Sequence, residues 1–240
     1  MDPHDRLIVA LDTPSLADAE GLAARLDGVV GWFKVGALFA EAGPAAVAAL
    51  ARRGRIFLDM KYHDIPSTVA GEVEAAARQG VSLCTVHALG GLAMLRAARD
   101  AAERGAGPRR VPPQVIGVTV LTSLDAAALQ EVGIAGTPQE AAVRLARLAQ
   151  DAGLAGAVTS PLDVAAVRAA CGPGFLLVCP GIRPECTASQ DQRRVHTPRS
   201  AVASGADLLV VGRPITQAPN PRAAAEKIIR EIGETQPNKA

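Results

Sequence analysis

The sequence predicts an α/β fold, a single-domain (β/α)8 TIM barrel in which parallel strands alternate with helices. Short apolar runs rich in β-branched residues recur along the chain, and Ala-rich segments of helical period separate most of them. Near-continuous apolar strands are typical of a parallel sheet that is covered by helices on both faces. Eight such units in 240 residues favour a closed barrel over the alternative, a doubly wound open sheet.

The predicted strands are the segments where apolar and β-branched residues concentrate. They are residues 7–12, 31–36, 55–60, 83–88, 115–121, 156–160, 175–180 and 207–212. Helical segments follow most of them, for example residues 15–26 and 68–80. Because no linker interrupts this alternation, residues 1–240 are predicted to form one domain, with a frayed polar tail at 233–240.

The composition argues against several classes of partner. The formal net charge is +1 and the basic residues are scattered, so no nucleic-acid surface is predicted. No apolar run reaches the roughly 20 residues of a membrane span, and the amino terminus lacks a signal-peptide pattern. The cysteines form no CxxC pair and have no histidine at ligand spacing; they are Cys84, Cys171, Cys179 and Cys186. We therefore expect a cytoplasmic protein that binds no metal, nucleic acid or membrane.

Polar residues that could carry chemistry fall at the carboxyl ends of the predicted strands. In chain order they are Asp12, Lys34, Asp59, Lys61, Asp64, His87, Thr122, Ser123, Arg183 and Arg213. This is the face on which barrel enzymes hold their catalytic groups. Since the residues come from separate segments, their common placement predicts an active site.

Each of these residues also has a structural interpretation when it is taken alone. Asp59 and Lys61 share one face of a strand and could form a buried ion pair, although such pairs rarely stabilise more than apolar packing does. Asp64 could cap the helix that follows it, and Asp12 could form a turn before a proline. Lys34 could extend into solvent, and the strand-end histidine could belong to the core or a loop.

Two loops have the character of a phosphate site. The segments CPGIRP and VVGRPI follow the seventh and eighth predicted strands, where barrels usually bind phosphate. Gly181 and Gly212 allow a ligand to approach backbone N–H groups closely, and Arg183 and Arg213 supply forked donors. The same residues could instead form ordinary turns with surface arginines.

The loop between these two strands is long and polar. Residues 183–198 contain the run DQRR, and Gln192 within it could close onto a phosphate. A loop of this length beside an active face is often a lid. An ordinary surface loop is equally compatible with the spacing.

The motifs together resemble the bacterial orotidine 5′-phosphate decarboxylase family. The resemblance covers almost the whole chain, through IVALD, FKVG, FLDMKYHDIPSTV, VHALGG, TVLTS, PGIRP, DQRR and VVGRPITQ. The DxKxxD element is shared with a wider suprafamily, whereas KYHDIP with KVG and PGIRP…DQRR is typical of the decarboxylases. Ser67 and Leu89 depart from the family's usual DIPNT and VHASGG stretches.

The resemblance implies a cofactor-independent conversion of orotidine 5′-monophosphate into UMP and CO2, the last step of UMP biosynthesis. It implies Lys61 as the catalytic acid, kept protonated between Asp59 and Asp64, with Asp59 against the substrate carboxylate. It further implies a set of binding residues, namely Asp12 and Lys34 for the ribose, Thr122 and Ser123 for the pyrimidine, and Arg183, Gln192, Gly212 and Arg213 for the phosphate. Asp64 and Thr68 are implied to reach the neighbouring site of a homodimer.

Two other functions remain open. A metal-assisted sugar-phosphate enzyme of the same suprafamily would share Asp12, the DxKxxD element and the phosphate loops. Such relatives resemble one another in placing an acidic residue where this chain has Lys34, which argues against that function. A non-catalytic phosphate-binding barrel is the second alternative, but binding alone does not require a charged lysine flanked by carboxylates.

Overall fold

A computed structural model describes residues 1–108, 110–184 and 196–234 of the chain. The strands form a closed parallel barrel in chain order, β1 to β8, and helices alternate with them. This confirms the predicted fold class. The strands are β1 Leu7–Ala10, β2 Trp32–Val35, β3 Arg55–Tyr62, β4 Leu83–His87, β5 Gln114–Val118, β6 Gly156–Val158, β7 Leu176–Cys179 and β8 Leu208–Val211.

The helices occupy the predicted connections. They are α1 Leu16–Arg25, α2 Ala37–Ala42, α3 Pro44–Leu50, α4 Pro66–Arg78, α5 Gly91–Ala106, α6 Ala126–Glu131, α7 Pro138–Asp151, α8 Val164–Cys171, α9 Pro198–Ala203, α10 Arg213–Thr216 and α11 Pro221–Gly233. Short 3-10 helices span Pro3–Arg6 and Ala88–Gly90. Capping side chains mark several starts, as where the Ser15 hydroxyl accepts from the Asp18 N–H at 3.2 Å.

Strand positions match the prediction, but several ends differ. β5 ends at Val118 rather than at residue 121 because the chain turns, with the Leu124 N–H donating to the Leu121 carbonyl at 2.9 Å. β3 instead continues to Tyr62, two residues beyond the predicted end. Lys61 therefore lies inside this strand and not after it.

The described residues divide into two compact units, one of residues 1–59 with 179–240 and one of residues 60–178. The prediction of one domain stays a prediction. In the first unit, β8, β1, β2 and β3 are neighbours, with Val9 opposite Val211, Ala10 opposite Lys34, and Lys34 opposite Phe57. This register brings the carboxyl ends of these parallel strands to one edge.

The second unit contains β4 to β7. His87 lies opposite Val118, which in turn lies opposite Val158, so these strands also end together. Outside them, α4 and α5 pack closely because α5 carries Gly105 at the contact. A Cβ on Gly105 would lie 2.5 Å from the backbone oxygen of Glu74, a distance that no side chain tolerates.

The amino ends of β2 and β3 are joined by a polar cluster. The Trp32 indole N–H donates to the backbone oxygen of Asp5 at 3.1 Å. The Arg55 guanidinium pairs with the Asp5 carboxylate and lies 4.4 Å from the centre of the Trp32 ring, a cation–π distance. This end of the first unit is thereby tied to the 3-10 helix that precedes β1.

Within the described ranges, no helix is both long and apolar enough to cross a bilayer. Cys84, Cys171 and Cys179 are buried, and none of the three forms a disulfide within the described ranges. Burial raises the pKa of the Cys84 thiol to about 12. Cys186 lies outside the described residues.

Candidate active site

An ion-pair network lies at the carboxyl end of the first unit's strands. The Nζ of Lys34 is 3.1 Å from Oδ1 of Asp12 and 3.6 Å from Oδ2 of Asp59. The Lys34 and Asp59 side chains are each only 12% exposed, whereas that of Asp12 is 57% exposed. One largely buried ammonium is thus shared by a largely buried carboxylate and a solvent-facing one.

The strand register accounts for this network. Lys34 lies in β2 opposite Ala10, and the Leu11 N–H donates to the Lys34 carbonyl at 3.0 Å, which brings the end of β1 alongside. Asp12 follows immediately after. Gly36 leaves room for the lysine, because a Cβ at that position would lie 3.2 Å from Nζ of Lys34.

The structure excludes the purely structural interpretations of Lys34 and Asp12 that the sequence allowed. Lys34 does not extend into solvent, since its side chain is almost buried and ion-paired. Asp12 does more than form a turn, because its carboxylate accepts from the Lys34 ammonium. The space provided by Gly36 was not predicted, since a glycine after a strand carries no signal of what its missing side chain leaves free.

Lys61 has an unusual backbone in the second unit. It is the only non-glycine residue within the described ranges with a left-handed conformation, at φ 52°. Its N–H donates to the Oγ1 of Thr85 on β4 at 2.8 Å. The rule that successive side chains alternate, which predicted Asp59 and Lys61 on one face, holds only for extended residues.

Aromatic and acidic side chains of the second unit surround this segment. The rings of His63 and His87 stack with centroids 5.2 Å apart. Burial, and then the charges of His63 and Lys61, lower the pKa of His87. The side-chain Nδ1 of His87 accepts from the Leu89 N–H at 3.4 Å. The charge of Lys61 therefore acts on a ring that is held by the loop after β4.

The other side of the segment is acidic. Burial, followed by the charges of Cys84 and Glu72, raises the pKa of Tyr62 to about 12. Burial and the Asp64 carboxylate raise the pKa of Glu72. Sequence reasoning missed Thr85, which joins the segment through a contact 24 residues away. It also missed Tyr62 and Glu72, whose pKa shifts depend on burial and on neighbouring charges.

Asp64 is not the helix cap that the sequence allowed. The N-cap of α4 is Ile65, which makes no side-chain cap bond, and Pro66 occupies the first turn. The Asp64 Oδ1 accepts from the Ile65 N–H at 2.6 Å. Asp64 and Thr68 are both exposed, so each is available to a group outside its own unit's core.

The predicted pyrimidine residues, Thr122 and Ser123, form an exposed turn between β5 and α6. The hydrogen bond described for this turn joins backbone groups, from the Leu124 N–H to the Leu121 carbonyl. Their position after β5 agrees with the predicted edge. Their role stays a prediction.

The predicted phosphate loops both belong to the first unit. Gly181 has φ 78°, which requires glycine, and the Arg183 N–H donates to the His196 carbonyl at 3.1 Å. Gly212 is the N-cap of α10, and Arg213 is its exposed first residue. A Cβ at Gly212 would contact only the Ala10 Cβ at 3.7 Å, so the protein itself does not exclude a side chain there.

Gln192 and residues 185–195 of the predicted lid lie outside the described residues. Among the residues that the structure does describe, no group of three or more His, Cys, Asp or Glu side chains could hold a metal ion. The titratable groups of the site that the structure describes include two lysines, several carboxylates and a histidine.

Comparison with known proteins identifies the relatives of this chain. A sequence model of the orotidine 5′-phosphate decarboxylase / HUMPS family matches residues 5–228. The orotidine 5′-phosphate decarboxylase of Anaeromyxobacter sp. (strain K) is 57% identical over 95% of this chain and 98% of its own length. That of Moorella thermoacetica is 52% identical over 97% of this chain and 94% of its own length.

A solved structure gives the same relationship. The crystal structure of orotidine 5′-phosphate decarboxylase from Lactobacillus acidophilus superposes with a TM-score of 0.85 at 36% sequence identity. The match covers 95% of this chain and 99% of that chain. Similarity therefore extends over the strands, the connecting helices and all of the candidate site positions that the structure describes.

Proposed function

The chain belongs to the orotidine 5′-phosphate decarboxylase / HUMPS family, and we propose that it decarboxylates orotidine 5′-monophosphate with Lys61 as the proton donor. The products are UMP and CO2, which makes the protein a carboxy-lyase of pyrimidine biosynthesis. The observation that carries the proposal is the set of charged residues at the carboxyl ends of β1, β2 and β3. Lys34 bridges Asp12 and Asp59 within 3.6 Å, and Lys61 follows Asp59 by two residues.

The chemistry requires a cation beside the reacting carbon. Loss of CO2 leaves an electron pair at C6 of the pyrimidine, which has no obvious electron sink. An ammonium at that position stabilises the developing negative charge and then donates the proton that replaces the carboxylate. Lys61 is assigned this role, as the family resemblance implies, and Lys34 is assigned to the charge network with Asp12 and Asp59.

The carboxylates are assigned three tasks. Asp59 lies against the substrate carboxylate, where its charge favours departure of CO2. Asp12 and Lys34 hold the ribose hydroxyls, since the exposed Asp12 carboxylate has free acceptor capacity beyond the Lys34 bond. Asp64 completes the set of charges around Lys61.

The phosphate is assigned to the loops after β7 and β8. Arg183 and Arg213 supply the charged donors, and Gly212 leaves the backbone open to close approach. Gln192 is assigned as a further phosphate contact, and Thr122 and Ser123 as contacts to the pyrimidine. Phosphate lies far from C6, so its binding energy supports the chemical step by holding the substrate in place.

We further propose that the active unit is a homodimer with shared sites. Asp64 and Thr68 are exposed around Ile65, whose side chain is 63% exposed at the start of α4. Leu89 and Leu121, which follow β4 and β5, are also exposed. Apolar side chains on the rim of a charged site are suited to a second copy of the chain.

No metal or organic cofactor takes part in the proposed reaction. The near-neutral net charge and the scattered basic residues support the absence of a nucleic-acid partner, and we assign the enzyme to the cytoplasm, without a membrane partner. A metal-assisted sugar-phosphate enzyme of the same suprafamily would share Asp12, the DxKxxD element and the phosphate loops. The assay must therefore separate a cofactor-free decarboxylase from a metal-dependent enzyme.

The experiment follows the ultraviolet absorbance of orotidine 5′-monophosphate with purified protein in excess EDTA, and identifies the product by chromatography. Rapid loss of the substrate signal with UMP as product is expected. Activity that EDTA removes and Mg²⁺ restores would instead identify a metal-assisted enzyme. A folded protein that binds UMP without turning over the substrate would leave only a binding function.

A further inference from the structure

The backbone of Lys61 adopts a conformation that its side chain disfavours. A left-handed φ is rare for residues with a Cβ, and within the described ranges Lys61 alone adopts it among non-glycine residues. It does so inside an otherwise extended strand, β3. Such a conformation persists only where surrounding contacts impose it.

One contact made by this residue is specific. The Lys61 N–H donates to the hydroxyl oxygen of Thr85 at 2.8 Å, whereas in a regular parallel ladder a backbone carbonyl would accept it. Thr85 is fully buried in β4. Its β-branched side chain has few accessible rotamers, so the acceptor is held in one place.

We propose that Thr85 is a positioning residue that fixes the left-handed backbone of Lys61 through this hydrogen bond and thereby directs the ammonium toward the reacting carbon. The inference rests on the proposed function of Lys61. It adds a residue that acts through the backbone of Lys61. Without the hydroxyl, the chain at Lys61 can relax toward the extended conformation of its neighbours.

The surroundings of Thr85 fit this role. His87 is two residues further along β4 and shares a face of the strand with Thr85. The charge of Lys61 contributes to the lowered pKa of His87. The charge of Lys61 thus acts on His87, whose side chain lies on the same face of β4 as the Thr85 hydroxyl that accepts from the Lys61 N–H.

Thr119 provides a matched comparison. It is also buried, at the end of the neighbouring strand β5, and its hydroxyl donates to the Val158 carbonyl at 2.8 Å. That bond links two backbone segments and does not involve Lys61. Each variant removes a buried hydroxyl that hydrogen-bonds to the backbone of another strand, but only the change at Thr85 should affect the lysine.

The test compares Thr85→Val, Thr85→Ser and Thr119→Val in steady-state decarboxylation and thermal unfolding. Thr85→Val should lower kcat by about 10- to 100-fold, the scale of a misplaced catalytic group, while KM stays within about threefold. Thr85→Ser, which restores the acceptor, should recover most of kcat. Thr119→Val should lose similar stability while keeping kcat within about threefold.

The inference is overturned if Thr85→Val keeps the wild-type kcat, or if its kcat falls no more than that of Thr119→Val. Should Thr85→Val fail to fold, Thr85→Cys decides the question, because a thiol is a weaker acceptor of similar size. A reduced kcat with unchanged KM supports positioning, and a full kcat refutes it. Wild-type protein without any turnover would instead refute the proposed function.

Discussion

The Lys34 ammonium lies in the space that the missing side chain of Gly36 leaves free, since a Cβ on the glycine would lie 3.2 Å from the lysine Nζ. That distance is closer than a methyl group and an ammonium normally approach. Because the ammonium is fixed by carboxylates on either side, it cannot move away without lengthening an ion pair. The small residue after β2 is therefore part of the charged network.

Gly36→Ala should displace the Lys34 ammonium. We expect a loss of about 1–3 kcal/mol in the free energy of unfolding from overpacking, and a fall of about tenfold in kcat/KM. Denaturant unfolding and steady-state kinetics measure both. Gly21→Ala in α1 is the control, because nothing lies within 4 Å of its added Cβ; it should stabilise by about 0.5–1 kcal/mol. Equal effects of both variants would contradict the steric account.

Lys61→Ala should abolish turnover while UMP still binds. The cation contributes to charge stabilisation and protonation, so kcat should fall by at least about 1000-fold. Calorimetric titration with UMP measures the retained affinity. Lys227→Ala on α11 is the matched control and should keep the wild-type kcat. A Lys61→Ala enzyme with more than about a tenth of that kcat would refute the proton-donor role.

Arg213→Ala should weaken the affinity for UMP and leave that for uridine unchanged. Loss of a hydrogen bond to a charged phosphate costs about 1.5–3 kcal/mol, roughly 10- to 100-fold in Kd. Uridine lacks the phosphate and serves as the internal control. Arg222→Ala on α11, where the arginine pairs with Glu226 at 3.1 Å, controls for the loss of charge. Unchanged UMP affinity would exclude Arg213 from the phosphate site.

Mixing two inactive variants should restore activity if the sites are shared. Lys61→Ala and Asp64→Ala homodimers each lack one group at both sites. After random subunit exchange, half of the dimers are mixed and each contains one intact site, so about a quarter of the wild-type activity should return. Exchange is verified with a mass-tagged subunit. Complete exchange without any recovery would show that Asp64 serves its own subunit.

The phenol of Tyr62 should lose its proton at a higher pH than an ordinary tyrosine does. It is the only tyrosine in the chain, so absorbance at a phenolate wavelength reports its pKa directly, with a midpoint near 12 in the folded protein. In denaturant the midpoint should return to about 10. Because the folded pKa is raised, its stabilising contribution is complete below pH 10 and is lost as the pH rises toward 12. A folded midpoint near 10 would contradict the burial of the phenol.

Much of the fold could be predicted because each strand is a compact apolar run bounded by polar residues. The first strand, Leu7–Ala10, is buried along its whole length, as is typical of strands in a parallel sheet covered by helices. The placement of Asp12 and Lys34 at one edge followed from parallel strands alone. Their short separation is a consequence of register, which sequence does not specify.

The rest of the site depends on long-range contacts. The left-handed Lys61 has no sequence signature, because lysine gives no sign of that conformation and Thr85 is 24 residues away. Asp64 failed as a helix cap for a local reason, since the proline after Ile65 moves the helix start by one residue. Tyr62 is half-buried near Cys84 of β4 and Glu72 of α4, an environment that the local sequence does not specify.

The stacked Trp32 and Arg55 at the amino ends of β2 and β3 give the protein a built-in optical reporter. Trp32 is the chain's only tryptophan, and its indole is held by Asp5 and by the guanidinium 4.4 Å away. Its fluorescence emission therefore follows the integrity of one end of the strands. The substrate's absorbance follows the chemistry at the other end. A single stopped-flow experiment can thus record loss of structure and loss of catalysis as separate signals.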